Sequence, residues 1–389
     1  MSLLNESRGI ADALRAWRRH LHAHPELSGQ ERETAGFVAR ELRAMGYAPV
    51  EQVGGAHAVT ATLDAGDGPV TALRADMDAL PIQEETNLPF SSHNAGVMHA
   101  CGHDAHTAML LGSAKLLVGR REHLMRPVRF LFQPHEEKFP GGAPAMIQGG
   151  ALGDVGAIFG LHIISVLPSG VVGTRVGPFM AAVNDLHIVV RGKGGHAAMP
   201  ESTVDPILAA AQIIVALQSV VSRSIAMTDW AVVSVTRVDA GTADNVIPET
   251  ATLRGTIRTF DEKVRTRVLS RVTQLAQSVG AAYGAAVEVN LSPGYPVLVN
   301  DEAATSRALR AARDLGLDER CIQTLPAQGG GEDFAYYGAH APAAFVFLGA
   351  AKPGAPTFPH HHPRFDIDED MLPVGAALLA QFALNEGQR

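Results

Sequence analysis

The chain of 389 residues has little cysteine: it contains only Cys101 and Cys321, which lie far apart in the sequence. Two distant cysteines cannot build a disulfide framework, so a reducing compartment is favoured and we expect the protein to be cytoplasmic. Long basic runs are also lacking, and the formal net charge is -8. This acidic balance argues against nucleic acid or an anionic membrane as a partner.

Long uninterrupted apolar runs are missing as well. The most apolar stretch, residues 155–172, is broken by His162, Ser165 and Pro168, which makes it too interrupted for a membrane span. The N-terminal segment has apolar residues at helical spacing with arginines between them, which is not the pattern of a signal peptide. What the chain does have is length and 17 histidines that bunch together. A chain of this length usually divides into two domains.

Strand-like and helix-like patterns alternate over the first half of the chain. This alternation is typical of an α/β domain whose central, mostly parallel sheet is flanked by helices. Ser28 and Glu31 have the spacing of a capping box, so a helix is predicted to begin after Ser28. Further on, the patterns follow the order β-α-β-β-α-β of a ferredoxin-like unit. We therefore predict an α/β domain of residues 1–179 and 293–389, interrupted by an inserted ferredoxin-like domain of residues 180–292.

Residues 98–106 carry one thiol, three imidazoles and one carboxylate in a single short stretch. Donors of these kinds suit a divalent transition metal such as zinc, nickel or manganese. Cys101 and His103 are the strongest candidates, because alternate side chains of an extended loop share a side. Taken alone, the stretch could equally be a surface loop with scattered histidines and one buried cysteine.

Three further groups of donors follow predicted strands. Glu136 and Glu137 come directly after a buried strand, where two adjacent carboxylates are costly to bury unless a positive charge lies nearby. One could bind a metal while the other acts as a general base. His162 follows an apolar strand, and residues 360–362 are all histidines. Singly, these groups could be an exposed acidic turn, a core histidine and a flexible loop. Together, at strand ends of one sheet, they predict a metal site with room for two ions.

Short motifs occur in order along nearly the whole chain, at residues 18–27, 74–81, 98–104, 132–137, 160–162, 192–197, 245–249, 255–258, 331–334 and 361–365. This ordered set resembles the amidohydrolase family that includes hippurate hydrolases, bacterial N-acyl-amino-acid hydrolases and plant auxin-conjugate hydrolases. That family lies within the wider aminoacylase and carboxypeptidase group of metallopeptidases. The resemblance implies a metallopeptidase-type catalytic domain with an inserted lid domain that also carries the contact of a homodimer or higher homo-oligomer.

The resemblance also implies roles for individual residues. It implies two divalent metal ions per subunit, zinc, manganese or nickel, held by Cys101, His103, Glu137, His162 and His361. It implies that Glu136 is the general base that activates the attacking water and then protonates the leaving amine. A shift of one residue would make His362 the ligand in place of His361.

In the inserted domain, His196 matches a lid histidine that stabilises the tetrahedral oxyanion, often from the partner subunit. Asn245 and Arg258 resemble lid residues that hold the carboxylate of the substrate, a task suited to the guanidinium fork. Asp76 and Asp104 could orient metal-bound histidines, or they could be structural turn residues. The plainer alternatives for the lid residues are a turn at Asn245, a surface strand at Arg258 and a flexible loop at His196.

The sequence departs from the family pattern beside Glu136, since His135 occupies a position that is commonly small and residues 138–140 replace a glycine-rich run. This departure affects the expected shape of the substrate more than the chemistry. We predict a metal-dependent hydrolase that cleaves the amide of a small N-acyl amino acid to a carboxylic acid and an amino acid. A dipeptidase or an N-acyl-diaminopimelate deacylase on the same centre is an alternative. Another is a thiol hydrolase with Cys101 as nucleophile, which would survive metal removal.

Overall fold

The computed structural model describes residues 2–55 and 57–387. Contacts between residues divide the chain into two compact units. The first unit comprises Met1–Phe179, Val299–Pro326 and Asp333–Arg389, and the second comprises Met180–Leu298 and Ala327–Glu332. The domain boundaries at residues 179 and 292 stay predictions beside this division by contacts.

The described residues form α-helices and β-strands in alternation over most of their length. The helices are α1 (Leu3–Gly9), α2 (Ala11–Ala23), α3 (Arg32–Ala44), α4 (His103–Val118), α5 (Ala143–Gln148), α6 (Pro206–Arg223), α7 (Glu262–Ala282), α8 (Glu302–Asp314) and α9 (Leu372–Asn385). The strands are β1 (Val50–Glu51), β2 (Val59–Leu63), β3 (Val70–Asp76), β4 (Val128–Gln133), β5 (Val155–Pro168), β6 (Val172–Thr174), β7 (Gly177–Met180), β8 (Ala182–Arg191), β9 (Gly195–His196), β10 (Ala231–Ala240), β11 (Val246–Ile247), β12 (Thr250–Thr259), β13 (Ala286–Pro293), β14 (Leu298–Asn300), β15 (Ile322–Thr324) and β16 (Ala343–Ala351).

The first unit is organised around an eight-stranded sheet with the strand order β1-β2-β4-β3-β5-β16-β6-β15. The central strands β4, β3, β5 and β16 run parallel to one another. The pairs β1–β2, β2–β4 and β16–β6 are antiparallel. Strand β3 is buried along its whole length, as expected for a parallel strand covered on both faces. The predicted α/β fold with a central, mostly parallel sheet is therefore confirmed.

The register of the central strands places the predicted donors at one edge of this sheet. Asp76, at the end of β3, pairs with Gln133, at the end of β4. Arg74 pairs with Gly160 on β5, so His162, two residues further along β5, lies at the level of Asp76. The chain that follows each of these positions therefore emerges at the carboxyl edge, where open α/β sheets bind their ligands.

The start of α3 differs from the prediction. Glu31 is the N-cap residue, and its side chain makes no cap hydrogen bond within the described part of the chain. The carboxylate of Glu26 instead accepts from the backbone N–H groups of Glu33 and Thr34, at 3.1 and 2.8 Å. The capping box of Ser28 and Glu31 was therefore wrong, because a side chain outside the local pattern satisfies the first N–H groups of the helix.

The second unit contains a four-stranded antiparallel sheet with the order β10-β12-β8-β13. Its elements follow the chain as β8, α6, β10, β12, α7 and β13, which is the β-α-β-β-α-β order that the sequence pattern predicted. Along β8, Leu186, Ile188 and Val190 alternate into the core of this unit. Helix α6 is long and apolar enough to cross a membrane by length and composition alone. This is weak evidence for a span, because its inner side packs into the same core.

Candidate metal centre

Cys101 and His103 reach the carboxyl edge of the sheet from a tight loop at the start of α4. Gly102 lies between them with a φ of +88°, in the left-handed region that favours glycine. A Cβ atom at Gly102 would lie 2.6 Å from Cγ2 of Ile163, so the loop can press onto β5 only if this residue is glycine. The loop is therefore fixed against the strand that carries His162.

The structure brings together all five side chains that the sequence predicts as metal ligands. The Sγ atom of Cys101 lies 3.6 Å from Nε2 of His162. The Oε1 atom of Glu137 lies 3.3 Å from Nε2 of His361 and 3.8 Å from Nε2 of His103. Potential ligand atoms of Cys101, His103 and His162 lie within 4.8 Å of one another, as do those of Cys101, Glu137 and His361. The two groups share Cys101, which suits two neighbouring ions.

The donor set of this centre fits a divalent cation. Nε2 of His103 and Oε1 of Glu137 are buried, and neither has a hydrogen-bond partner among residues 2–55 and 57–387. Buried polar atoms are nearly always satisfied in folded proteins, so two orphaned atoms 3.8 Å apart need an explanation. A cation between them satisfies both atoms, and the thiol, imidazole and carboxylate donors are those that bind transition metals.

Two of the histidines are held so that Nε2 faces the other donors. His103 donates from Nδ1 to the backbone oxygen of Asp78 at 3.0 Å and lies 3.2 Å from its Oδ1 atom. His162 donates from Nδ1 to the backbone oxygen of Ile163 at 2.8 Å. Although burial opposes it, the carboxylates of Asp76, Asp78 and Glu137 raise the pKa of His103 to about 10. In the described structure His103 is therefore surrounded by more negative charge than one imidazole balances.

Asp78 is a functional residue that the sequence analysis missed. Its Oδ2 atom accepts from the backbone N–H of Glu137 at 2.9 Å and from Oγ of Ser28 at 2.6 Å. It therefore orients both the His103 ring and the loop that carries Glu137. Its position two residues after Asp76, on the same side of an extended chain, is the signal that could have revealed it.

Asp76 supports the centre, as one of its two predicted alternatives held. Its Oδ1 atom accepts from Nδ1 of His106 at 2.6 Å, and its Oδ2 atom accepts from Arg74 at 2.7 Å and lies 3.7 Å from Nε2 of His103. Although burial opposes it, His103 and Arg74 hold the pKa of Asp76 well below its usual range. His106 also accepts from the backbone N–H of Ile163 at Nε2, at 2.9 Å, so both of its ring nitrogens are engaged.

Asp104 does not orient a histidine of the metal centre. Its Oδ2 atom accepts from Nε of Arg18 at 3.1 Å and from Nδ1 of His22 at 2.8 Å. The other ring nitrogen of His22 lies 3.2 Å from a carboxylate oxygen of Glu84. The reason is that Asp104 lies on the first turn of α4 and faces α2, whose buried Arg18 needs a counter-charge.

His22 gives the stability of the fold a dependence on pH. Although burial opposes it, hydrogen bonds to Asp104 and Glu84 raise the pKa of His22 from 6.5 to about 9. The stabilisation is complete below pH 6.5 and is lost as the pH rises through about 9, an effect of about 3 kcal/mol. We expect denaturant unfolding at equal metal loading to show this fall for the wild type. His22→Gln should lack it, and an identical pH slope in both proteins would contradict the assignment.

Of the three consecutive histidines, the structure brings His361 to the metal centre. His360 donates from Nε2 to the backbone oxygen of Ile163 at 2.9 Å. His362 stacks on Phe358 and its Nδ1 atom accepts from the backbone of Arg364 at 3.0 Å. The backbone N–H of His361 donates to Ala100 at 2.8 Å, and its φ of 64° lies in a region that non-glycine residues rarely adopt.

The surroundings of Cys101 are those of a metal ligand and not of a nucleophile. Burial, together with Glu137 and Glu136, raises the pKa of the Cys101 thiol well above its usual range. Cysteine nucleophiles lie in electropositive surroundings that lower the thiol pKa. The carboxylates around Cys101 therefore weigh against the thiol-hydrolase alternative.

In the second unit, the structure brings His196 and Asn245 together but leaves Arg258 apart. His196 on β9 pairs with Val246 on β11, and the backbone oxygen of Asn245 accepts from Ala197 at 3.0 Å. This ladder continues the end of the sheet at which Arg191 pairs with Thr250.

Arg258 pairs with Val183 at the opposite end of the same two strands. The eight residues that separate Arg258 from Thr250 along β12 span roughly 25 Å. Arg258 and His196 therefore lie at opposite ends of the second unit within one chain.

The fold and this set of donors define the chain as a metal-dependent hydrolase of the metallopeptidase type. Residues 72–385 match the sequence profile of peptidase family M20/M25/M40, and the chain belongs to this family. N-acetylcysteine deacetylase of Bacillus subtilis (strain 168) is 46% identical over 368 residues, which cover 94% of this chain and 95% of that protein. N-acyl-L-amino acid amidohydrolase of Geobacillus stearothermophilus is 45% identical over 305 residues, or 77% of this chain and 82% of that protein.

A solved structure from Bacillus subtilis extends the similarity to the fold and the metal chemistry. It is described as a dinuclear metal binding peptidase from the M20 family. It superimposes with a TM-score of 0.84 at 41% identity and covers 97% of this chain and 98% of its own. The predicted family resemblance, hydrolase class and divalent-metal dependence are therefore confirmed.

Proposed function

We propose that this chain cleaves the amide bond of N-acyl amino acids, releasing a carboxylic acid and a free amino acid. The observation that carries the proposal is the convergence of Cys101, His103, Glu137, His162 and His361 at the carboxyl edge of the sheet, with Glu136 beside them. Both Bacillus and Geobacillus relatives are named for removing acyl groups from amino acids. We propose a cytoplasmic location, in keeping with the unpaired thiols of Cys101 and Cys321.

The five convergent side chains would hold two divalent ions, of zinc, manganese or nickel. Such ions, when bound, polarise the carbonyl oxygen of the amide and lower the pKa of the attacking water. The chain prepares these ligands in advance, since Asp78 holds the His103 ring and Asp76 lies against it. Less reorganisation is then needed when metal and substrate bind.

Glu136 acts as the general base in this proposal. It is buried, and its ligand-type atom lies within 4.8 Å of those of His103 and Glu137. A buried carboxylate beside the centre can take a proton from water at the scissile carbonyl. The same carboxyl group then delivers that proton to the nitrogen of the leaving amino acid, so that the proton balance of hydrolysis closes.

The second unit acts as a lid, and we propose that two chains pair through it. His196 and Asn245 lie at the opposite end of the sheet from Arg258. One copy of the lid cannot place an oxyanion-stabilising imidazole and a carboxylate-binding guanidinium on the same small substrate. Two copies can, with Arg258 from one subunit and His196 from the other.

Exposed apolar side chains support this pairing. Met199, Ile207 and Val246 are exposed near His196, and Leu208 and Val215 are exposed along the outer side of α6. Contiguous exposed apolar surface of this kind marks a protein interface, and a second copy of the chain would cover it.

The experiment that tests this function combines metal analysis with an amino-acid release assay. We expect two divalent ions per subunit and hydrolysis of at least one substrate among acetyl, benzoyl, indole-acetyl and long-chain acyl amino acids. A chelator should abolish the release, and added zinc, manganese or nickel should restore it. No hydrolysis of any member of the panel would overturn the substrate class. Activity that survives metal removal would overturn the metal mechanism.

A further inference from the structure

Glu31 is a buried carboxylate that the mechanism above does not use. Its side chain is fully buried, and its Oε1 atom accepts from the backbone N–H groups of Gly29 and His135, each at 2.8 Å. His135 directly precedes Glu136. One oxygen atom therefore ties the segment before α3 to the loop that leaves β4.

The backbone at His135 needs such a tie. Its φ is 62°, in the left-handed region that side chains other than glycine rarely adopt. Its ring packs over Gly29, where a Cβ atom would lie 3.1 Å from Nδ1 of His135. The hydrogen bond from His135 to the Glu31 carboxylate holds the chain in this conformation immediately before the general base.

The same short segment also holds the other side of Glu136. Ser28 donates from Oγ to Oδ2 of Asp78 at 2.6 Å, and that oxygen also accepts from the backbone N–H of Glu137 at 2.9 Å. Residues 28–31 therefore fix the backbone on both sides of Glu136, directly at His135 and through Asp78 at Glu137.

A plain structural role does not account for Glu31. Its side chain does not cap α3 in the described part of the chain, because Glu26 satisfies the N–H groups of Glu33 and Thr34. Burial, with the neighbouring charge of Asp78, raises the pKa of Glu31 to about 7. Burying a carboxylate in this way costs stability that an apolar side chain of similar size would not cost.

We propose that Glu31 is a positioning residue for the general base, which it serves by fixing the backbone that aims the carboxylate of Glu136. The inference rests on the proposed function of Glu136. Glu31 touches neither substrate nor metal ligand in this role. Its effect is exerted on the rate of the chemical step, because a misplaced base binds substrate as well as a placed one but accepts its proton less often.

The test compares Glu31→Ala with Glu31→Gln in the metal-loaded enzyme. Glutamine keeps an oxygen that can accept from both N–H groups, whereas alanine keeps none. We expect Glu31→Ala to lose about 10- to 100-fold in kcat with KM and metal content unchanged. Glu31→Gln should stay within about threefold of the wild type. If Glu31→Ala does not fold, Glu31→Asp withdraws the carboxylate by one methylene and should show the same loss in kcat.

The matched control is Glu26→Ala, which removes a carboxylate from the same helix start. It should lower the unfolding temperature and leave kcat unchanged, because Glu26 contacts only the first N–H groups of α3. Wild-type kcat in Glu31→Ala would overturn the inference, and so would equal losses in the alanine and glutamine variants or a parallel loss of metal. Hydrolysis by the wild type in the same assay tests the proposed function separately. If the wild type hydrolyses nothing, that function fails and this inference falls with it.

Discussion

Replacing Glu136 by glutamine is expected to lower kcat by about 10³-fold or more while the metal content and KM stay close to those of the wild type. Glutamine has nearly the shape of glutamate but cannot accept and return a proton. The ligands Cys101, His103, Glu137, His162 and His361 are untouched by the change. Metal analysis and steady-state kinetics on the same preparation measure both quantities.

Glu137→Gln is the matched control, one residue away and with the same chemical change. The carboxylate of Glu137 lies 3.3 Å from His361 and 3.8 Å from His103, so its neutralisation should reduce the metal content together with the activity. Near-normal turnover in Glu136→Gln would show that another group is the base. A loss of metal in Glu136→Gln would instead make Glu136 a ligand.

Sequence reasoning could find the metal donors because strand ends are visible in the sequence. Glu136, Glu137 and His162 each follow an apolar run, and parallel strands deliver whatever follows them to one edge of the sheet. The register of β3 with β4 and β5 realises this convergence. The Cys-x-His spacing of Cys101 and His103 added a second local signal of the same kind.

The supporting residues could not be predicted in this way, because their partners are set by packing between distant segments. Asp104 bonds to Arg18, 86 residues away, and the requirement that created the pair is the burial of Arg18 on α2. Ser28 and Glu31 fit a capping box by spacing, yet both turn to the strand ends instead. A local pattern describes what a side chain can bond to nearby, and the tertiary structure offers a competing partner.

Two inactive variants are expected to regain activity when their subunits are mixed. If His196 of one subunit completes the centre of the other, then His196→Ala and Glu136→Gln each inactivate both sites of a homodimer. In a mixed dimer, one site contains the intact Glu136 of one chain and the intact His196 of the other. Random pairing makes half of the dimers mixed, each with one of its two sites intact, so about a quarter of wild-type activity should return.

The recovery discriminates between the two possible assemblies because the alternative predicts none. If each chain used its own His196, every site in a mixed dimer would carry one of the two substitutions and activity would stay at the level of the separate variants. Co-expression with different affinity tags, followed by isolation of the doubly tagged species, gives the mixed dimer directly and should raise the recovered activity to about half of wild type. Mixing His196→Ala with Arg258→Ala should restore nothing, since one substituted residue then falls in each site of the mixed dimer only if the two act in different subunits' lids. The separation of roughly 25 Å along β12 is what requires that arrangement.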